Sequence, residues 1–321
     1  MDLAYSMRLY DSEENCITLG GFTYFRYVKE LYTPYVVFEG ICITDQLIDV
    51  SKINRVEFFV SSGMYYRGLI DSIDVYMSKG KNYVSVKSKS FTSLLCQNQP
   101  KPGLMTAADL SGVIETYPDI PYVTCENSSE ASYIYAQEGD SIWDVVCKLG
   151  YKQTGIYPYI EASDIVRITK RAYRNWNFYR QNTVIASGTS YDFTHLISHI
   201  HMQDVNGNYD VHVKSCDEAV NRNLIRHKQI PCDFGFEPYY DSVTALNYSL
   251  KNGMKRLKCN YITHTGFHGE DLFDKFSYII TNERNEIVQT IFDGKDIHKI
   301  NVLFNGVNIM TTLGSYEDGV V

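Results

Sequence analysis

The sequence predicts a mainly β protein, α+β overall, in which two antiparallel β-barrel domains flank a small α+β insert. Three observations predict this fold: short alternating strands separated by turn residues, a proline-glycine break before a helical middle region, and 27 tyrosines among 321 residues. Tyrosine combines an apolar ring with a polar tip, which suits half-buried strands and surfaces that meet other subunits. The length is that of two or three domains.

Composition excludes several classes of protein. Hydrophobic residues make up 44% of the chain and charged residues 21%, which is enough apolar material for a core and excludes a disordered chain. No stretch approaches the roughly 20 consecutive apolar residues that span a bilayer. The first residues also lack the basic and apolar regions of a signal peptide. We therefore expect a soluble protein that has no membrane span and is not exported by the Sec route.

Charge and cysteine usage narrow the expectation further. The formal net charge of −8 argues against specific nucleic-acid binding, which needs a basic stripe that neutralises phosphates. The densest basic run, within residues 170–180, has aromatic residues between its charges and is typical of an amphipathic strand edge. Eight cysteines are spread along the chain without a CxxC pair, which favours reduced, mostly buried thiols over disulfides.

Residues 1–99 are predicted to form the first β-barrel domain. Side chains alternate over residues 73–77 and again over 83–87, which predicts a β-hairpin with a four-residue loop at 79–82. Further strand candidates, rich in β-branched and aromatic residues, are 34–44 and 55–60. Strand after strand with short connections is typical of an antiparallel barrel or sandwich.

Residues 100–186 are predicted to form the small α+β insert. Pro100, Lys101, Pro102 and Gly103 cannot continue a strand ladder, so they predict a boundary. A first helix follows, with Thr106 as its expected N-cap and apolar residues at helical spacing after it.

The second helix of this insert has the clearest helical pattern in the chain. Ser141 and Asp144 have the spacing of a capping box, and Gly150 is the expected C-terminal stop. The surrounding residues 135–146 resemble the opening of a LysM module, a small peptidoglycan-binding unit, and this makes Trp143 a candidate wall-binding residue. A second LysM helix is missing, however, so we favour a packing role for Trp143 in the core of the insert.

Residues 187–321 are predicted to form the second β-barrel domain. Strand-like segments at 195–204 and 209–214 flank a tight turn at 205–208. The stretch 216–240 has little periodicity and is predicted to be a long connection.

The end of the chain has one helix pattern and several strand patterns. The helix is predicted over 241–251, with Gly253 beyond its end. Further along, the Asn305-Gly306 step between two apolar runs predicts a two-residue type I′ hairpin turn.

Five histidines are candidate metal ligands in the sequence. His195, His199 and His201 face one side of a predicted strand, but same-face neighbours on a strand lie about 7 Å apart, which is too wide for ligands of one ion. His264 and His268 show no standard ligand spacing and are predicted to be loop residues. We therefore expect no metal site and no cofactor.

Catalytic motifs are also missing from the sequence. No GxSxG, P-loop, GxGxxG or HExxH pattern occurs. The adjacent carboxylates Glu13-Glu14 and Glu270-Asp271 are expected to be solvated on polar loops. The sequence therefore predicts no catalytic residues and a protein that is not an enzyme.

Four segments, taken in order, resemble the baseplate hub proteins of contractile phage tails, the family of the late-control gene D proteins and the Mu-type hub. The hub portion of type VI secretion spike proteins is also similar. The segments are residues 66–73 (YRGLIDSI), 83–90 (YVSVKSKS), 138–144 (EGDSIWD) and a helix with terminal strands over 241–313. Their order and spacing carry the resemblance, which spans most of the chain and leaves 216–240 unaligned.

The resemblance implies a mechanical function. Members of this family form a homotrimeric ring in which each copy contributes two similar barrels, so that six barrels meet a sixfold tail tube and a threefold face meets the central spike. The implied partners are the tail tube protein, the spike protein and baseplate wedge or LysM-type tail proteins. The implied location is a virion or phage-tail-like particle, assembled in the cytoplasm of the bacterial host.

Two other functions stay open at this point. One is a peptidoglycan-binding or wall-degrading tail component that uses the LysM-like segment and Trp143. The other is a carbohydrate-binding β-sandwich enzyme with scattered carboxylates. The sequence does not distinguish an infectious phage from a headless, bacteriocin-like particle.

Overall fold

Strands dominate the computed structural model, which describes residues 5–45, 48–115, 120–171, 173–179, 184–204, 206–231 and 242–317. The strands before the first helix are β1 (Tyr5–Asp11), β2 (Cys16–Leu19), β3 (Phe22–Glu30), β4 (Val37–Thr44), β5 (Ile53–Val60), β6 (Gly63–Ser78) and β7 (Lys81–Ser90). The middle of the chain contains α1 (Leu94–Gln97), β8 (Gly103–Ala108), α2 (Leu110–Ile114), β9 (Thr124–Cys125), β10 (Ala131–Ala136), α3 (Ile142–Thr154), β11 (Tyr159–Glu161) and β12 (Ile165–Arg167).

The remaining elements complete this mainly β architecture. They are β13 (Asn175–Tyr179), β14 (Val184–Tyr191), β15 (His199–Met202), β16 (His212–Ser215), α4 (Asp217–Asn221), β17 (His227–Ile230), α5 (Ser242–Met254), β18 (Lys258–Thr265), β19 (Lys275–Thr281), β20 (Ile287–Asp296), β21 (Lys299–Phe304) and β22 (Ile309–Glu317). The predicted fold class is therefore confirmed. Within the described residues, no helix is both long enough and apolar enough to cross a bilayer.

The largest sheet has eleven strands in the order β14-β18-β22-β21-β3-β4-β7-β6-β5-β1-β2. Pairing is antiparallel at every step from β22 to β2. The C-terminal strand β21 pairs directly with β3, so the end of the chain extends the sheet that its beginning forms. Four smaller sheets are β8-β10, β9-β12-β11, β13-β19-β20 and β15-β16-β17. Closure of the strands into barrels stays a prediction.

Contacts divide the chain into two compact units. The first contains Met1–Ser187 and Ile262–Gly314, and the second contains Gly188–Tyr261 and Ser315–Val321. The first junction lies next to the boundary predicted between 186 and 187. Residues 262–314 join the first unit because their strands, such as β21, hydrogen-bond to N-terminal strands. The three-part division drawn from the sequence stays a prediction.

Aromatic side chains form the centre of the first unit. The Phe38 and Phe58 rings are 4.9 Å apart between centroids, and Phe25 lies 5.1 Å from Phe58. The buried Tyr66 hydroxyl donates a hydrogen bond to Ser88 Oγ at 2.9 Å, and burial raises the pKa of Tyr66 well above its ordinary value. A buried hydroxyl needs such a partner, which explains a serine in this core.

The second unit has its own small core. Leu196, Ile200 and Met202 from the β15 region pack with Leu246 and Leu250 of α5. The predicted connection 216–240 contains α4 and β17, and β17 runs parallel to β15. That prediction was wrong for the described part of the segment, because pairing with β15 rather than internal periodicity specifies β17. Residues 232–240 lie outside the described residues.

Two hairpin loops differ in length from those predicted. The β6–β7 loop has two residues rather than four, because Ser78 pairs with Lys81. Lys79 and Gly80 have φ of 50° and 75°, which are the positive values of a type I′ turn. The β21–β22 loop has four residues, 305–308, rather than two, because Phe304 pairs with Ile309. Asn305 Oδ1 accepts hydrogen bonds from the backbone amides of Val307 and Asn308, which stabilises the wider turn.

Helix ends also correct the sequence-based expectations. Thr106 lies in β8, and Asp109 is the N-cap of α2, where its side chain accepts a hydrogen bond from Gly112 N at 2.7 Å. The α5 helix continues to Met254 and therefore includes Gly253. A Cβ at Gly253 would lie 3.3 Å from His195 O, so glycine is tolerated there for close packing.

The α3 helix begins as predicted and ends later. Ser141 and Asp144 form the capping box reciprocally. Gly150 lies inside the helix, where an added Cβ would approach Pro158 Cγ to 2.9 Å. The C-cap is Gly155, with a φ of 68° that favours glycine.

The cysteines behave as free thiols. All seven in the described residues are unbridged. Three of them are buried, so the expectation of mostly buried thiols was too strong: Cys42, Cys147 and Cys216.

Candidate functional site

Trp143, the candidate wall-binding residue, lies in α3 and is 5% exposed. Its neighbours Ile142, Val145 and Val146 are fully buried. The indole is therefore part of the core of this region, which is the packing role that the sequence favoured.

The histidines of β15 gain a partner that sequence spacing did not reveal. His199 pairs in register with His227 of β17, and their rings stack with centroids 4.6 Å apart. His201 Nε2 lies 2.9 Å from His227 Nδ1. His195 lies outside the strand at an exposed position. His201 and His227 thus hydrogen-bond to each other, whereas His199 Nδ1 lies 3.0 Å from Ser198 Oγ. The arrangement is a ladder in which the His227 ring stacks on both other rings.

A different histidine pair meets a carboxylate. His264, His268 and Glu270 each place one ligand-type atom within 4.8 Å of the others, and they are the one such group of three in the described part of the chain. His264 Nε2 lies 3.2 Å from Glu270 Oε1, and both side chains are fully buried. The His264 and His268 rings are 5.7 Å apart and nearly parallel, at 8°.

These positions correct two expectations. His264 lies in β18 rather than in a loop, although His268 follows in the loop as predicted. Glu270 is 2% exposed rather than solvated. A carboxylate beside another carboxylate in the sequence looks polar and exposed, but the chain turns Glu270 inward after the strand ends.

Two glycines produce that turn. Gly266 and Gly269 have φ of 81° and 86°, in the left-handed region that favours glycine. A Cβ at Gly269 would collide with the ring of Tyr65. Between them, Phe267 is 1% exposed and packs 5.4 Å from the Tyr65 ring and 5.8 Å from the Tyr27 ring. The loop is therefore anchored in the core of the first unit.

Asp274 closes the same loop with a dense hydrogen-bond network. Its buried carboxylate accepts from Arg171 Nη2 at 2.7 Å, from Arg174 Nη2 at 2.8 Å and from Trp176 Nε1 at 3.1 Å. Burial opposes ionisation of Asp274, but these donors outweigh it, so the pKa of Asp274 lies below its ordinary value. The basic run near residue 170 thus serves an internal carboxylate.

Lys29 adds a second buried charge pair to this loop. The side chain of Lys29 is 2% exposed and is ion-paired with Asp271. Burial disfavours the ammonium form and lowers the pKa of Lys29 despite the attraction of Asp271. The expectation of a solvated Glu270-Asp271 pair was therefore wrong for both residues.

Two strand edges expose apolar side chains. The outer half of β6, residues 71–78, pairs only with β7, and Val75, Tyr76 and Met77 there are 40%, 43% and 73% exposed. The strand β20 lies at the edge of its three-stranded sheet, with Ile287 and Val288 exposed to 66% and 64%. Long apolar edges of this kind are templates for pairing with another chain.

Comparison with known proteins finds the same fold in tail proteins. No protein-family model matches the chain, and no curated protein matches it by sequence. A tail protein from Neisseria meningitidis MC58 has a TM-score of 0.65 at 13% identity, over 99% of this chain and 98% of that one. The 43 kDa tail protein of prophage MuSo2 from Shewanella oneidensis has a TM-score of 0.67 at 10% identity, over 97% of this chain and 98% of that one. A type VI secretion system component from E. coli has a TM-score of 0.55 at 9% identity, over 92% of this chain and 74% of that one.

These similarities confirm the resemblance at the level of fold. Both tail proteins match this chain over nearly its whole length and nearly all of their own. The E. coli protein is described as structurally similar to the T4 bacteriophage tail proteins gp27 and gp5. The chain therefore shares its overall fold with these tail proteins.

Proposed function

We propose that this protein is the structural hub of a contractile-tail baseplate, in a phage or a bacteriocin-like particle. Three copies form a ring that adapts the sixfold tail tube to the threefold central spike. The observation that carries this proposal is the fold match over 98% of the length of two tail proteins. The partners are the tube protein, the spike protein and wedge or LysM-type tail proteins, and assembly takes place in the host cytoplasm.

The two exposed strand edges support a ring. A closed ring of identical chains needs two different surfaces on each copy, because each copy contacts one neighbour on either side. The first unit offers two: the outer half of β6 and the strand β20. We assign them as complementary halves of one interface, in which the β6 edge of one copy pairs with the β20 edge of the next.

The chemistry of the chain suits a mechanical role. Buried charges such as Asp274 and Lys29 are paired within the protein. The net charge of −8 suits a channel wall that repels passing DNA. We therefore propose a scaffold without enzymatic activity.

Light scattering on the purified chain, alone and with a candidate spike protein, tests the ring. We expect a species of three times 36.9 kDa that images as a ring with a central hole. Placing a lysine at Met77 should block the β6 edge, and a lysine at Val288 should block the β20 edge. Each variant should be monomeric, because a buried unpaired charge disfavours the interface. As a matched control, Ile225→Lys changes an apolar side chain that is 84% exposed elsewhere, and it should leave the trimer intact.

Mixing the two edge variants tests how the edges pair. In a ring, the Met77→Lys chain keeps an intact β20 edge and the Val288→Lys chain keeps an intact β6 edge. One intact interface can then form, so the mixture should give a species of twice 36.9 kDa and nothing larger. A mixture that stays monomeric would reject this pairing, and a wild-type monomer under all conditions would reject the ring.

A further inference from the structure

His264 and Glu270 present a buried polar contact that no hydrogen bond satisfies. His264 Nε2 and Glu270 Oε1 lie 3.2 Å apart, yet neither atom has a hydrogen-bond partner. A buried polar atom without a partner is destabilising, so such a pair needs an explanation.

Hydrogen bonds elsewhere on the two side chains define which atoms are left over. His264 Nδ1 lies 3.1 Å from the carbonyl oxygen of Thr265, and a carbonyl only accepts, so Nδ1 carries the proton. With Nδ1 alone protonated, Nε2 presents a lone pair. Glu270 Oε2 accepts from His268 N at 3.0 Å, which turns Oε1 towards Nε2. Two electron-rich atoms therefore face one another in the core, and a cation between them would remove the repulsion.

We propose that His264 Nε2, Glu270 Oε1 and an imidazole nitrogen of His268 bind one Zn²⁺ ion. Bonds of about 2.0–2.2 Å at tetrahedral angles place neighbouring ligand atoms roughly 3.4 Å apart, close to the observed 3.2 Å. Two imidazoles and one carboxylate suit zinc, whereas Ca²⁺ and Mg²⁺ prefer oxygen ligands alone. His268 is exposed, so the fourth position faces water.

The groups around these three side chains hold them in place for a metal ion. The Nδ1 proton of His264 on a backbone carbonyl fixes the tautomer that leaves Nε2 for the metal. The Phe178 ring packs 4.4 Å from the imidazole of His264 and excludes water from that side. Gly266 and Gly269 hold the loop so that His268 and Glu270 return to the end of β18. The ion would join the strand to the loop that follows it.

Zinc titration of the full chain tests this site. Protein treated with EDTA is titrated with ZnCl₂ by calorimetry, and its melting temperature is followed. We expect one Zn²⁺ per chain and a higher melting temperature, with no response to MgCl₂. Co²⁺ should give the intense visible bands of a tetrahedral site. No zinc binding by the wild-type chain would overturn the proposal.

Glu270→Gln separates a metal site from a buried ion pair. The glutamine amide can donate to His264 Nε2, so the metal-free variant should be at least as stable as the metal-free wild type. It should bind zinc at least about 100-fold more weakly, since changes in the second shell alone reduce metal affinity 10- to 100-fold. If His264 were instead protonated and ion-paired with Glu270, this variant would be less stable without metal, and that result would overturn the proposal.

Two further variants locate the ion. His268→Ala removes an exposed ligand without disturbing the core, so it should fold normally and lose zinc affinity by a similar factor. His212→Ala is the matched control outside the group and should bind as the wild type does. Zinc binding that survives His268→Ala but is lost in His201→Ala would assign the ion to the stacked histidines of β15 and β17 and reject this site.

Discussion

Two regions of the molecule bring histidines into contact, and they do so by different means. The first is the histidine loop, residues 264–274, and the second is the histidine ladder, which comprises β15, β17 and the turn at 203–208. In the ladder, regular strand pairing stacks the rings, and His201 and His227 hydrogen-bond to each other. In the loop, His264 Nε2 and Glu270 Oε1 face one another in the core without any hydrogen bond.

This difference shows what makes a ligand site. Strand pairing sets spacings that suit sheets, and in the ladder it lets His201 Nε2 and His227 Nδ1 hydrogen-bond to each other. The loop departs from regular structure at Gly266 and Gly269, and this departure lets two histidines and one glutamate converge. Each region contains an aspartate, a glycine and histidines, so the same substitutions can be made in both regions and their effects compared.

The largest expected effect is that of Asp274→Asn in the loop. Both oxygens of Asp274 accept hydrogen bonds from buried or half-buried donors, and an amide would turn its NH₂ towards Arg171 or Arg174. Removing the charge leaves guanidinium groups partly unpaired, so we expect a loss of about 3 kcal/mol of unfolding free energy, measured by urea denaturation. Asp204→Asn in the ladder is the control. Asp204 accepts hydrogen bonds from backbone amides at an exposed position, so the urea midpoint of this variant should stay close to that of the wild type.

Next in size is Gly269→Ala. Gly269 has a φ of 86°, and an added methyl group would also strike the Tyr65 ring, so backbone strain and overpacking together should reduce stability by about 2–3 kcal/mol. Gly207 in the ladder has the same φ of 86° but only an ordinary contact, 3.6 Å from Gln203 Nε2. Gly207→Ala should therefore lose about 1 kcal/mol, from the backbone alone. Equal losses in thermal unfolding would contradict the role of Tyr65.

The third test is how the stability of the folded protein falls at low pH. The pKa of Asp274 is lowered in the folded chain, so its contribution is present above the unfolded value of about 3.9 and is lost as the pH falls through the folded pKa. Urea midpoints of the wild type should therefore fall below about pH 4 more steeply than those of Asp274→Asn. Parallel curves for the two proteins would show that Asp274 is not responsible.

The fold class was predictable because strand alternation and helix caps are local signals. The Ser141–Asp144 capping box and the β6–β7 hairpin both followed from residues close in sequence. Loop lengths were less accessible. Lys79 adopts a positive φ, which is uncommon for lysine and therefore not expected from the sequence. The Asn305 side chain accepts a backbone hydrogen bond in a four-residue loop, although an Asn-Gly step usually makes a two-residue turn.

The candidate site was not predictable from the same signals. His264, His268 and Glu270 do not match a known ligand spacing, and their convergence depends on two positive φ angles at glycines and on the anchoring of Phe267. The available signal was the pair of glycines between potential ligands, in HTGFHGE. For the ladder, His227 lies 26 residues from His201, and only the parallel pairing of β17 with β15 brings them together.

The smallest expected effect is that of His227→Ala in the ladder. His227 is exposed, and water can replace its surface hydrogen bond to His201, which is 2.9 Å long. Such a bond contributes about 0.5–1 kcal/mol, so thermal unfolding should change by no more than that. Zinc affinity should be unchanged, because His227 lies outside the group of His264, His268 and Glu270. A variant that lost several kcal/mol, or lost zinc, would reverse the comparison and make the ladder, not the loop, the organised histidine site of this protein.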